Sequence, residues 1–293
     1  MCSGADGGRG DDAAGHVRGE QQQQMEVWDP LALNAFVLFD TEYTAWAGSH
    51  ERDWSGPGEH RELIQLSAIR VRRWNTSSTA ASTALPPTAR SRQLAGHVSL
   101  GTRATVAQPL PRRDGELLVV AELKLTITPV INPVLSEYIT NLTGITNEDV
   151  AREGVSLEEA MRQFKLFCGG GWANFMQVGS FGSDEEVLHE NFDLQAAAFD
   201  ASGYRGWTGS FHDVVPYFVE SQGIDRSAFS SGSLYKAYGI EAAASVHDSL
   251  WDCTSMYLCL KLIDDANACG WTVKAVDGGK AGRVELMCDT AKL

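Results

Sequence analysis

The sequence lacks the features of membrane-spanning, secreted and disulfide-stapled proteins. No stretch approaches the roughly 18 consecutive apolar residues of a membrane span. The Gly-, Asp- and Gln-rich N-terminus has no apolar core of the signal-peptide kind. Six cysteines (Cys2, Cys168, Cys253, Cys259, Cys269, Cys288) form no CxxC pair, which points to reduced, mostly structural thiols rather than a zinc site or disulfide framework. No P-loop is present and no GxGxxG follows a strand, which removes the usual signatures of nucleotide-phosphate binding. With 43% apolar and 21% charged residues, the expectation is a soluble intracellular protein, cytoplasmic or nuclear, with no membrane association.

Positive charge is scarce overall and concentrated locally. A net charge of −14 argues against a protein that coats nucleic acid non-specifically. Yet 70–113 holds eight arginines and no Asp, Glu or Lys, so subtracting that +8 from −14 leaves −22 on the rest. Within it, 74–113 is rich in Ser, Thr, Ala and Pro and shows no clean period. It reads as an extended insertion with a local strand at 97–100, either a flexible arm that tracks phosphates or a solvated low-complexity segment. The expected organisation is a disordered tail over 1–27, one domain over 28–268 carrying this insertion, and a C-terminal tail over 269–293. At 293 residues the chain is long enough to bury a substantial core.

The first strand is expected over 34–42, where Ala35, Phe36, Val37, Leu38 and Phe39 make an unbroken apolar run. A second follows at 63–72, with Ile64, Leu66, Ala68 and Arg70 on one face and Leu63, Gln65, Ser67, Ile69 and Val71 on the other. Strand signals resume at 117–123 and 125–131. Residues 132–138 turn into a short helix, and 143–147 reads as a turn. Ser156 and Glu159 fit a capping box opening a helix whose Leu157, Ala160, Met161, Phe164 and Cys168 form an inward stripe, stopped by Gly169 to Gly171. A strand at 175–181 leads into a second box at Ser183 and a helix through Phe192. After a further segment at 213–218 and a short helix at 233–238, Ser245 caps a long helix over 246–263. Strands first, then helices alternating with strands, predict a single α/β domain with a mixed sheet flanked by helices.

Asp40 and Glu42 close the first strand, and their i, i+2 spacing aims both the same way. Paired carboxylates at a core edge need a cation or basic partner to remain ionised. Asp184 falls in the first turn of a helix after a strand. Asp252 borders the apolar stripe of the last helix, five residues beyond His247. This order resembles the DnaQ-like, or DEDDh, 3′→5′ exonuclease superfamily. Ile131-Asn-Pro-Val-Leu-Ser136 followed by Asn141-Leu-Thr-Gly-Ile-Thr146 is similar to its branch that trims histone-mRNA, ribosomal and small-interfering RNA ends. Ser180-Phe-Gly-Ser-Asp184 with Leu188 resembles the branch's aromatic-Gly-x-x-Asp motif, one residue short. The third acid is therefore Asp184, with Asp193 as the alternative.

The resemblance implies a ribonuclease H-like fold and two Mg²⁺ or Mn²⁺ ions held by Asp40, Glu42, Asp184 and Asp252. It implies His247 as general base near the mobile start of its helix, and single-stranded 3′ ends, RNA foremost, as substrate. Thr41, Tyr43, Thr44 and Trp46 flank the first motif and are candidates to meet the terminal nucleotide, although Tyr43 and Trp46 equally suit packing on the core. The competing reading is a catalytically silent adaptor of the same fold that binds RNA or protein. Such an adaptor would usually have lost an acid or the histidine, and all five are present.

Overall fold

Ala35–Tyr43 forms β1, the strand around which the layers are built, and its residues 36–42 are all buried. The computed structural model describes residues 27–75, 113–169, 176–242 and 247–288. The expected N-terminal tail, except Val27, and the strand expected at 97–100 lie outside them. Leu63–Arg73 forms β2 and Leu117–Thr126 forms β3, an antiparallel meander with β1. Gln177–Ser180 (β4) and His212–Asp213 (β5) extend the other side in parallel, giving the order β3-β2-β1-β4-β5. Each half reflects its connections: turns and loops can join antiparallel strands, whereas parallel neighbours need helical crossovers.

Helices cover both faces. Glu137–Thr143 (α1), Asn147–Glu153 (α2) and Leu157–Phe167 (α3) lie between β3 and β4. Asp184–Leu194 (α4) and Ser202–Thr208 (α5) lie between β4 and β5, and Ser249–Ala268 (α6) follows. Strand alternation divides the core. Phe36, Leu38, Ile69 and Val71 pack with Cys253, Met256 and Leu260 of α6. Val37, Phe39, Leu66 and Ala68 pack with Leu157, Met161 and Phe164 of α3 and with Val187, Leu188 and Phe192 of α4. Cys168, Cys253 and Cys259 are buried free thiols, and Cys269 and Cys288 are exposed ones.

Several expectations change. Residues 117–126 form one strand, followed by an isolated bridge from Ile127 to Val155, instead of two strands. A register shift between Glu42 and Tyr43 brings Leu63 opposite Tyr43 and moves it to the Leu66 face. The turn expected at 143–147 leads into a helix that was not expected, α2, opened by a reciprocal capping box between Thr146 and Asp149. Ser156 does cap α3 by accepting from the Glu159 N–H, but Glu159 is engaged by Arg162 and Gln163. Ser183 makes no side-chain cap. The last helix starts at Ser249 with Asp248 as its cap, whose Oδ1 accepts from the Leu250 and Trp251 N–H groups, and Ser245, the expected cap, lies outside the described residues. The segment expected as a tail contains a hairpin of Trp271–Ala275 (β6) and Val284–Cys288 (β7), with Val273 buried in the α6 core cluster.

Phe164 is fully buried and its ring centroid lies 5.4 Å from that of Phe39. Phe164→Ala is expected to lower the unfolding free energy by about 3–5 kcal/mol, measured by denaturant titration.

Candidate active site

Asp40 and Glu42 continue the face of β1 that Phe36 and Leu38 present to α6, while Thr41 continues the Val37–Phe39 face. The α6 helix supplies Asp252 from its first turn. Its start is tied to β2: the Ser249 hydroxyl lies 2.7 Å from both Gln65 Oε1 and Ser67 Oγ. Asp40, Glu42 and Asp252 each offer a carboxylate oxygen within 4.8 Å of the others, although the three are only 5%, 8% and 4% exposed. Such burial removes most of the water that would separate their charges.

Asp184 comes from the other face, as the first residue of α4. Its Oδ1 accepts from the Thr41 N–H at 3.0 Å and from the Thr41 hydroxyl at 2.6 Å. Thr41 is thus the brace that holds the third acid beside the strand carrying the other two, with its hydroxyl committed to that task. Asp193, the alternative, sits on the last turn of α4 with a side chain 76% exposed and pairs with Arg205. It takes no part in the cleft.

Every one of the four carboxyls resists ionisation. Burial, then Asp184, Asp252 and Glu42, raises Asp40 well above the carboxylate range. Burial and then Asp252 push Glu42 up to about 9. Burial also pushes Asp184 and Asp252 up to about 7, against hydrogen bonds from Thr41 and Ser231 that pull them down. The donor set suits a hard divalent cation, which favours carboxylate oxygen. One observation supports that fit directly. Asp252 Oδ2 accepts from the Ser231 hydroxyl at 3.1 Å, but buried Oδ1 has no hydrogen-bond partner. A Cβ on Gly232 would stand 2.1 Å from that oxygen, so only glycine leaves Asp252 its position.

His247 lines the same cleft, just before the Asp248 cap, with a left-handed φ of 65° rather than on the frayed helix turn expected. It is half-buried, and desolvation lowers its pKa below the usual 6.5. Tyr43 and Trp46 also line this cleft of about 470 Å³. Tyr43 packs edge-on against Trp54 at 5.5 Å with the Arg61 guanidinium 5.9 Å from its ring, and its hydroxyl is pushed up to about 12 by burial and by Asp184. Thr44 points elsewhere: its hydroxyl donates to the His60 carbonyl and accepts from the Glu62 N–H, so it is a structural residue and not a wall of the site.

Residues outside the motifs complete the cleft. Ser231 and Arg226 line it, as do Tyr138 and Leu142 of α1. The α1 wall is anchored by Glu62, fully buried, which accepts from the Val130, Ile131 and Asn132 N–H groups at 2.6–2.8 Å. A glutamate opening an apolar strand was the available signal for that anchor. Ser231 and Arg226 had no comparable signal.

No family model matches the chain, and no curated protein matches its sequence. Solved structures do. The nuclease domain of 3'hExo, a DEDDh family member, bound to rAMP, superposes with a TM-score of 0.53 at 14% identity, covering 78% of this chain and 91% of that one. A full-length 3′-exonuclease gives 0.52 at 14%, covering 88% and 92%. The chain has the DEDDh exonuclease fold. A 3′-exonuclease described in the 3′-end-specific recognition of the histone mRNA stem-loop gives 0.52 at 13%, covering 88% and 71%. At these identities the likeness is one of fold, a mixed sheet with helices on both faces. Among the described residues no helix is long and apolar enough to cross a membrane.

The raised carboxyls set a pH dependence. Below the unfolded values near 4 both states hold their protons and no penalty arises. As pH rises toward the folded values of about 7 to 9, the unfolded chain ionises first and stability is lost. In EDTA the melting temperature is therefore expected to fall between pH 5 and pH 9. Millimolar Mg²⁺ or Mn²⁺ should raise it, more at pH 8 than at pH 5, by about 2.7 kcal/mol of stability at a hundredfold excess over Kd. Thermal melts with and without metal measure this directly.

Proposed function

We propose that the chain is a divalent-metal-dependent 3′→5′ exonuclease acting on single-stranded nucleic acid, RNA in preference to DNA. The observation that carries this reading is the convergence of Asp40, Glu42 and Asp252 within 4.8 Å of one another, with Asp184 braced beside them on Thr41. In this reading Asp40, Glu42 and Asp252, with Asp184 from the opposite face, hold two Mg²⁺ or Mn²⁺ ions. The bound ions would neutralise the scissile phosphate, make the attacking water acidic and stabilise the leaving 3′-oxygen.

His247 is the general base. Burial keeps its imidazole neutral at pH 7, which is the form able to accept a proton from the attacking water. Its place one residue before the α6 cap puts it next to the start of the helix that carries Asp252. Tyr43, Trp46, Tyr138 and Leu142 give the cleft aromatic and apolar walls against which a terminal base can stack. The RNA preference takes its support from the similar folds described with rAMP and with a histone mRNA stem-loop. An adaptor without activity would not need four buried acids held against their mutual repulsion.

Digestion of 3′-labelled and 5′-labelled single strands tests the reading. A 3′ label should leave first as a mononucleotide, a 5′ label should shorten stepwise, and EDTA should stop both. Asp40→Ala and His247→Ala should each lower kcat by about 100-fold or more while single-strand binding is retained. Robust activity in the Asp40 variant would overturn the assignment. Faster digestion of matched DNA than RNA would overturn the substrate preference.

A further inference from the structure

Beside the carboxylates, the cleft is bounded by a loop that belongs to none of the recognised motifs. Arg226 opens its short 3-10 turn, Arg226–Ala228, and is exposed. The guanidinium carbon lies 4.8 Å from the centroid of the Phe181 ring, and Nη1 donates to the Phe229 carbonyl at 3.1 Å. A ring beneath it and a carbonyl beside it fix the orientation of a side chain that is otherwise free to rotate. Gly182, at φ +97°, passes under the group: a Cβ there would be 3.4 Å from Nη2. Phe181 and Gly182 lead directly into Asp184, so the cation stands over the approach to the third acid.

The loop is held by the C-terminal hairpin. Asp225 donates its N–H to the Gly278 carbonyl at 2.9 Å, and its Oδ2 pairs with Lys280 at 2.6 Å. Its other oxygen caps the turn through the Ser227 N–H and hydroxyl. The β6–β7 connection approaches at backbone distance, because a Cβ on Gly279 would lie 2.6 Å from Ala237 Cβ and 3.0 Å from Phe229. A segment with no place in the sequence motifs thus supports one side of the cleft.

Four carboxylates line this cleft, yet none forms an ion pair with Arg226, whose fixed plane rests on an aromatic ring. Only one of the five guanidinium donors is used by the Phe229 carbonyl. A planar fork with donors to spare matches the paired oxygens of a phosphodiester. We propose that Arg226 binds a backbone phosphate of the single strand as it passes Phe181 and Gly182, and that the C-terminal hairpin holds it in place. The identity of the ligand rests on the nuclease reading above.

The test compares wild type, Arg226→Ala and Arg226→Lys in Mg²⁺ with a single-stranded oligonucleotide. It measures KM, kcat and, by fluorescence anisotropy, Kd in the Asp40→Ala background between about 50 and 200 mM salt. Arg226→Ala should raise KM and Kd about tenfold, more than it lowers kcat. It should also reduce the slope of log Kd against log salt by about 0.7, the loss of one phosphate contact on a single strand. Arg226→Lys keeps the charge, so the wild-type slope should return with only part of the affinity. If wild type cleaves and Arg226→Ala matches it in KM, Kd and salt slope, the assignment fails alone. A shifted melting temperature with an unchanged slope would make Arg226 structural and also overturn it. Should wild type bind without cleaving, the nuclease reading falls while the slope still decides the role of Arg226. A wild type that neither binds nor cleaves overturns both.

Discussion

Four carboxyl groups cannot all be ionised at the end of one buried strand unless something positive joins them. That repulsion is the constraint on which the architecture depends. Burial is the largest cause of the raised pKa of Asp40, Glu42, Asp184 and Asp252, and for Asp40 and Glu42 the other acids come next. A fold selected for stability alone would replace such a cluster with apolar groups or pair each acid with a base. Here Lys124 is spent on Asp248 and Arg61 on Glu190, while Arg226 rests on Phe181 and pairs with none of the four. The acids are left to each other and to whatever cation the site admits.

Strand alternation explains how the chain assembles them. One nine-residue strand delivers Asp40 and Glu42 to the face covered by α6 and Thr41 to the face covered by α3 and α4. The α6 helix therefore brings Asp252 directly into the group. The α4 helix cannot, and Asp184 instead reaches the strand by accepting two hydrogen bonds from Thr41. The same division accounts for three carboxylates meeting directly while the fourth joins them through Thr41. Glycine at 232 and the Ser231 hydroxyl then define the two sides of Asp252, one oxygen hydrogen-bonded and one bare.

Much of this was legible because it depends on short-range periodicity. The run of apolar residues before Asp40 reflects a strand buried on both faces, and the helical stripe from Leu157 to Phe164 a face that must be buried. Less legible were features set by competition among local signals. The cap of the last helix is Asp248, whose carboxylate serves two N–H groups while pairing with Lys124. Thr146, read as part of a turn, caps α2 in a reciprocal box with Asp149. The reciprocal contact expected from Glu159 was lost to Arg162 and Gln163. Thr44, a motif neighbour by sequence, was withdrawn from the cleft by the 60–62 backbone.

The sequence by itself determined the mixed α/β class, the first strand with its two acids, and the order of acids and histidine along the chain, because side-chain period and residue type are local properties. Tertiary structure decided which of those groups meet. It brought Asp184 to Thr41 and left Asp193 exposed on Arg205, placed His247 before the α6 cap, pinned the α1 wall through buried Glu62, and set Arg226 on Phe181 with the C-terminal hairpin behind it. Those pairings join residues up to 143 positions apart, and no local pattern records a contact made across the sheet.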